Sequence, residues 1–186
     1  MLTRSFVGSV LALGIVAAVY GAPAGAAENA SPGKVERDFL TAAASAGMME
    51  VELGRHAATH AANPRVKEFG QRMVTDHSKA NEELKQVAAR KSVALPATMS
   101  KEHREEVTRL TKLKGAEFDR AYMKMMVEDH EKDVQKFRTE SQTAQDPDVK
   151  EFAAKTLPTL EEHLQMAKDV SAHAGSATSG ARHHAH

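Results

Sequence analysis

The chain has 186 residues, of which 25 are Lys or Arg and 25 are Asp or Glu, so its formal net charge is zero. This balance excludes the strongly basic face with which proteins hold nucleic-acid phosphates, and we expect no nucleic-acid partner. Because the chain has no Cys, it can form no disulfide and offers no thiolate to a metal or a substrate.

The first segment has the three parts of a secretory signal. Arg4 supplies a positive charge, residues 5–20 form an uncharged apolar run, and "APAGAA" offers small residues for cleavage after Ala26. We expect residues 1–26 to be a signal peptide and the mature protein to be periplasmic or envelope-associated. A permanent anchor is the alternative, but the apolar run is short for a membrane span, and no later segment reads as one.

The rest of the chain is rich in Ala, Glu, Lys and Leu, which favour helices. Asn63-Pro64 and Asp146-Pro147 each place an N-cap before a proline at the first helical position, which marks a tight turn between two helices. Pro158 lies inside the last helix and predicts a kink. The predicted helices cover residues 34–62, 64–91, 101–114, 115–142 and 147–172.

These elements predict an all-α protein, a ferritin-like four-helix bundle over residues 34–172 with a short additional helix in the connection between its second and third long helices. That connection is long enough to cross the bundle, and a plain up-down-up-down bundle is the alternative. Residues 173–186 have the composition of a disordered, His-containing tail. The predicted apolar line of the first helix is Val35, Phe39, Ala42, Ala46, Met49 and Leu53.

Two internal repeats occur in different registers. "NPRVKEF" at 63–69 matches "DPDVKEF" at 146–152, an offset of 83 that suggests a duplicated helical hairpin. "MVTDHSK" at 73–79 matches "MVEDHEK" at 126–132, an offset of 53. A hairpin duplication therefore does not account for the two Asp-His pairs.

Three histidines fall on predicted core lines, where a buried imidazole needs partners for both nitrogens. In an antiparallel hairpin, residues at one height are equally far from the turn. The turn at Asn63-Pro64 places Glu50 level with His77, and the turn at Asp146-Pro147 places His130 level with His163. Each hairpin thus puts two polar groups at one height inside an apolar stripe.

This polar layer, formed by Glu50, His77, His130 and His163, has two interpretations. Three imidazoles and a carboxylate can bind one transition-metal ion such as Zn, Cu, Mn or Fe. Asp76 and Asp129 would then orient the ligands without contacting the metal themselves. Alternatively, Glu50 bonds to His77 and His130 bonds to His163 or a backbone carbonyl, with no metal.

Other groups favour ordinary roles. His56 and His60 could chelate a metal at their i, i+4 spacing, but they suit the C-terminal end of a helix. Met123, Met125 and Met126 fit core packing better than Cu(I) binding. The tail histidines His183, His184 and His186 could bind a metal only loosely. We find no phosphate loop, nucleophile elbow or haem motif, so no catalytic residue is predicted.

Three stretches carry a family resemblance: "FLTAAASAGMMEVELGRHAATHAANPRVKEFGQRMVTDHSKANEELK", "GAEFDRAYMKMMVEDHEKDVQKF" and "DPDVKEFAAKTLPTLEEHLQMAK". They resemble the bacterial domain of unknown function 4142 family over about residues 39–169. The resemblance implies an exported protein with a ferritin-like bundle, of a kind often labelled an outer membrane protein. The family motif residues match at Glu50, Asp76, His77, Asp129, His130 and His163.

The sequence departs from ferritin-like di-iron proteins, which supply Glu-x-x-His from two helices. Val74 precedes His77 at that spacing, and Leu160 precedes His163. A mononuclear, His-rich metal site therefore fits the residues better than a di-iron centre. The alternative function is a non-enzymatic envelope or stress-response protein whose Glu/His layer is only structural. The sequence specifies no substrate, protein partner or oligomeric state.

Overall fold

The computed structural model describes residues 31–176, so the expected signal peptide and residues 177–186 lie outside the described part of the chain. Within that part all regular secondary structure is helical, in agreement with the predicted all-α class, and no helix there is long and apolar enough to cross a membrane. The five helices are α1 Lys34–His60, α2 Pro64–Arg90, α3 Lys101–Thr111, α4 Gly115–Thr143 and α5 Pro147–Ser176.

The helix starts follow the capping residues that the sequence predicts. The Asn63 side chain accepts a hydrogen bond from the N–H of Arg65 before Pro64 opens α2. Asp146 accepts from the N–H groups of residues 148 and 149 at the start of α5. Each cap satisfies backbone donors that a helix start leaves without partners.

Two predicted helix ends differ from the structure by three residues or more. The short helix α3 ends at Thr111 rather than at residue 114, and α4 begins at Gly115, whose φ of 56° lies in the left-handed region that glycine adopts without strain. The last helix continues to Ser176, into the segment predicted as a disordered tail. There the ring of His173 bonds to the carbonyl of Asp169 in the final turn.

Contacts at the two ends of the molecule fix the directions of the helices. Glu36, at the start of α1, accepts hydrogen bonds from the backbone of the α4–α5 turn. Asp119, at the start of α4, accepts from the backbone of the α1–α2 turn. The first hairpin, α1–α2, therefore packs against the second hairpin, α4–α5, with α1 antiparallel to α4. The connection through α3 must run the length of the molecule, as the crossing connection of the predicted bundle requires and the up-down-up-down alternative does not.

The core consists of two apolar clusters along the long axis. One contains Phe69, Met73, Tyr122 and Met126, and the other contains Phe39, Leu84, Phe137 and Phe152. The predicted apolar line of α1 is wrong at Val35, which is 71% exposed, and at Ala42, which is also exposed. Glu36 is buried instead, where its carboxylate accepts backbone N–H groups.

Candidate metal centre

The polar layer lies between the two apolar clusters and takes one side chain from each long helix. Glu50 comes from α1, His77 from α2, His130 from α4 and His163 from α5, and all four are buried. The predicted levels are confirmed. His77 Nδ1 lies 2.9 Å from Glu50 Oε2, and the rings of His130 and His163 have centroids 5.5 Å apart. The structure thus groups the three histidines, and Glu50 lies beside them in contact with His77.

Each imidazole has one nitrogen in a hydrogen bond. His77 Nδ1 donates to Glu50, His130 Nδ1 donates to the carbonyl of Met126 at 2.9 Å, and His163 Nε2 donates to Asp76 Oδ2 at 2.9 Å. A neutral imidazole that donates through one nitrogen presents a lone pair on the other. These three acceptors therefore select the tautomer in which the remaining nitrogen can bind a metal.

Several buried polar atoms near the layer have no hydrogen-bond partner among the described residues, although buried polar groups normally have one. One nitrogen from each of the three histidines lies within 4.8 Å of nitrogens of the other two. Nitrogens on one tetrahedral Zn²⁺ lie about 3.3 Å apart, so small side-chain rotations would close the site. The atoms without partners are Glu50 Oε1, His77 Nε2, Tyr122 Oη, His130 Nε2 and His163 Nδ1.

Burial keeps the three imidazoles neutral. It lowers the pKa of His77, His130 and His163 to about 4 in each case, against the opposing effect of nearby carboxylates. A metal ligand must be unprotonated, so the histidines are in the binding-competent form at neutral pH. Protonating any of them would place a cation among other donors in an apolar interior.

Burial shifts the pKa of Glu50 in the opposite direction from that of the histidines. Burial raises the pKa of Glu50 to about 7, although the neighbouring His130 favours the carboxylate. Its Oε1 lies 3.7 Å from His130 Nε2, which is too long for a hydrogen bond. A cation in the layer would stabilise the carboxylate form, whereas a layer without one would favour the neutral acid.

The two acids predicted to orient ligands take different places. Asp76 does orient a histidine, but it reaches His163 on α5 rather than its own neighbour His77, and Arg72 pairs with its carboxylate. Asp129 forms an ion pair with Lys132 at 3.4 Å. The structure therefore gives the two copies of the Asp-His motif different surroundings.

The other sequence candidates lie away from the layer. His56 and His60 stack with ring centroids 4.3 Å apart, and the exposed His60 ring bonds to Thr59. Met123, Met125 and Met126 are buried in one apolar cluster, as core packing predicts. The tail histidines His183, His184 and His186 lie outside the described residues.

Sequence reasoning missed two residues near the layer. Tyr122 is fully buried, and burial together with the negative charge of Glu50 raises the pKa of its phenol. It lies two helical turns before His130, a spacing that could have indicated its position. Burial and the charge of Glu50 also raise the pKa of Asp133 to about 6. Asp133 is the 83-offset counterpart of Glu50, so the repeat carried a signal for it.

Comparisons with known proteins agree with the family expectation. No curated protein and no solved structure matches the chain. A family model described as a domain of unknown function, DUF4142, matches residues 21–170, which include all five helices apart from the last turns of α5 and every residue of the polar layer. The chain therefore belongs to the DUF4142 family.

Proposed function

We propose that this protein binds one transition-metal ion in the polar layer, with His77, His130 and His163 as nitrogen ligands and Glu50 as the carboxylate. The observation that carries the proposal is the convergence of three buried imidazoles, each with one nitrogen in a hydrogen bond and the other without a partner. Three separate helices supply them, so local sequence alone does not explain the convergence.

The donor set indicates the class of metal. Neutral imidazoles with one carboxylate suit borderline ions such as Zn(II), Cu(II), Mn(II) or Fe(II), and the absence of Cys removes the softest donors. The histidines would hold the ion, Glu50 would supply negative charge, and Asp76 would fix the ring of His163. A bound ion of this kind would supply Lewis acidity or redox chemistry, but no residue pattern identifies a substrate.

We further propose a ferritin-like four-helix bundle as the fold and the periplasm or envelope as the location. Two antiparallel hairpins joined by a long crossing connection support the first. The charged, apolar and small-residue parts of residues 1–26 support the second. Sequencing the N-terminus of the protein from an envelope fraction should find the chain starting near Ala27. A retained Met1 in the cytoplasm would contradict export.

A structural polar layer is the second candidate. It is favoured by the bond between Glu50 and His77 and by the raised pKa of Glu50, because a neutral acid could donate a proton to a neighbouring imidazole. In that case the layer would fix the register of the helices without a metal.

Metal analysis separates the two candidates. The full chain with its three tail histidines replaced by Ala should purify, without chelators, with about one equivalent of metal. His77→Ala and His130→Ala should each abolish binding, whereas the control His56→Ala should retain it. If no metal co-purifies, and added Zn(II), Cu(II), Mn(II) or Fe(II) leaves the melting temperature unchanged, the structural candidate replaces the metal one.

A further inference from the structure

A cavity of about 820 Å³ adjoins the polar layer on one side. Glu50 and His77 line its inner end, and the exposed side chains of Asp38, Lys132 and Lys136 lie along its outer part. These outer residues belong to α1 and α4, which approach each other less closely than the partners within either hairpin. Helix α3 packs on α1 and α4 mainly beside the other apolar cluster, and only its His103 reaches the lining of this cavity.

The repeat with offset 83 gives a reason for the cavity. The relation holds in three dimensions, because Glu36 and Asp119, which are 83 residues apart, make equivalent bonds to the two hairpin turns. Under the same offset His130 corresponds to Gly47 and His163 to Ala80, and both small residues line the cavity. At Ala80 the cavity therefore takes the place of an imidazole in the second half of a symmetric site, whereas at Gly47 the side chain of Asn81 occupies the place of a Cβ.

Carboxylates predominate along the cavity. The five acids in its lining face two lysines, and each lysine is paired with one of the acids: Lys132 with Asp129 and Lys136 with Asp133, both at 3.4 Å. Asp133, the counterpart of Glu50 in the second hairpin, has a side chain only 14% exposed. The acids are Asp38, Glu50, Asp129, Asp133 and Glu140.

The opposite side of the layer is less suited to a cation. There Arg72 lies between α2 and α5, pairing with Asp76 and, at 3.2 Å, with Glu162. Because the guanidinium already pairs with both carboxylates, neither is free to bind an approaching metal ion. Glu50 and His77 are both more than nine-tenths buried, line the cavity and each carry one atom without a hydrogen-bond partner, so the cavity leads directly to candidate ligand atoms.

We propose that this cavity is the route by which a divalent metal ion reaches the polar layer, and that the carboxylate of Asp133 binds the ion in transit. The proposal rests on the proposed function. An ion that leaves bulk water is first attracted by the outer acids, then passes Asp133 and is transferred to Glu50 and the histidines. The small side chain of Ala80 keeps this path wide enough for a partly hydrated ion.

Rapid mixing of the metal-free full chain with Co²⁺, followed by the visible spectrum of the bound ion, tests the route. Asp133→Asn should slow uptake by about tenfold while one equivalent still binds at equilibrium, because one negative charge in a partly enclosed path has been removed. Lys136→Gln should accelerate uptake, since it leaves Asp133 without its competing cation. Glu162→Gln, which removes an acid on the opposite side, is the matched control and should load at the wild-type rate.

Ala80→Leu tests the path by obstruction, with Ala80→Ser as the control of similar size. The leucine variant should load more slowly, and the serine variant should not. Wild-type rates in both Asp133→Asn and Ala80→Leu, with one equivalent bound, would overturn the route and leave the metal site standing. Failure of the wild-type protein to bind any of Co²⁺, Zn²⁺, Cu²⁺, Mn²⁺ and Fe²⁺ would overturn the proposed function and the route together.

Discussion

Each imidazole of the polar layer is held by a different kind of acceptor. His77 bonds to a member of the layer, His130 bonds to a backbone carbonyl, and His163 bonds to Asp76, a half-buried residue on another helix. Only Asp76 can therefore be changed without altering either a candidate ligand or the backbone. It is the residue through which the orientation of a ligand can be tested separately from its presence.

We expect Asp76→Asn to weaken metal affinity about 10- to 100-fold while the stoichiometry stays at one, because the ring of His163 loses its charged acceptor. Competition titration against a chromophoric chelator measures this change. The repeat offers a matched control in Asp129→Asn, which replaces the equivalent acid of the second Asp-His pair. Because Asp129 pairs with Lys132, its replacement should leave equilibrium affinity nearly unchanged. Equal losses in both variants would contradict the assigned role of Asp76.

The heights of the four polar residues along the bundle could be predicted from the sequence. In an antiparallel hairpin whose turn is known, two residues equally far from the turn lie at the same height. The partner of each acid could not be predicted. Asp76 precedes His77 in sequence but faces α5, since successive residues on a helix point about 100° apart and the rotation of the whole helix decides which neighbour each one meets.

At the scale of the elements, α1 and α2 pack closely enough that their backbones nearly touch. A Cβ on Gly70 would lie 2.7 Å from the carbonyl oxygen of Gly54 and 2.9 Å from the backbone nitrogen of Ala58. A Cβ on Gly54 would lie 2.9 Å from the carbonyl oxygen of Gly70. Only glycine fits at these two positions, and their contact fixes the spacing of the first hairpin next to the polar layer.

Gly70→Ala should destabilise the protein by about 1–3 kcal/mol, because rigid backbone atoms must move apart. A loss of stability in Gly70→Ala would be informative, because alanine is otherwise about 1 kcal/mol more favourable in a helix than glycine. Urea unfolding followed by circular dichroism measures the change. In the control Gly47→Ala the new Cβ meets only the side chain of Asn81, which can rotate away, so the cost should be smaller. A Gly70→Ala variant as stable as wild type would disprove the close approach.

The elements themselves were largely predictable, because the Asx-Pro pairs and the capping residues act over one turn of helix. The errors are at places where the local signal is weak or where tertiary contacts override it. The end of α3 has no strong stop before Gly115, and α5 continues past residue 172, where it was predicted to end. The burial of Glu36 in place of Val35 arises from the α4–α5 turn, which is more than 100 residues away in sequence.

At the scale of the whole molecule, two equivalent contacts hold the hairpins together at opposite ends. Glu36 accepts from the N–H groups of Gln145 and Asp146 at 2.6 and 2.8 Å. Asp119 accepts from those of Ala62 and Asn63 at 3.0 and 2.7 Å. In both cases a buried carboxylate at the start of one hairpin satisfies two backbone donors in the turn of the other.

Glu36→Ala and Asp119→Ala should each destabilise the protein by about 2 kcal/mol or more, because each leaves turn N–H groups without an acceptor. The neighbouring exposed acid provides a control: Glu117→Ala should cost within about 0.5 kcal/mol. Chemical unfolding at neutral pH measures all three. If the two carboxylates proved as dispensable as Glu117, the hairpins would be held by apolar packing alone.

The hydrogen bonds to the Glu36 carboxylate also predict that the stability of the protein depends on pH. Burial would raise the pKa of Glu36, but hydrogen bonds from the N–H groups of Asp146, Gly33 and Gln145 outweigh it and lower the pKa below its ordinary value of 4.5. The folded state thus binds this proton less tightly than the unfolded state. The resulting stability is fully present above about pH 4.5 and is lost as the pH falls through the folded-state pKa. The stability difference between wild type and Glu36→Gln should therefore shrink over that range, and a constant difference would contradict it.

The crossing connection makes the molecule resemble two subunits joined by a tether. Glu50 and His77 belong to one hairpin, and His130 and His163 belong to the other, so a metal ion bound by all four would join the two halves directly. Such an ion would close a loop from His77 to His130 that contains the whole tether, and it would act as a reversible cross-link, limiting the separation of the halves in partly unfolded states. Metal supply would then regulate the mechanical integrity of the molecule as well as its chemistry.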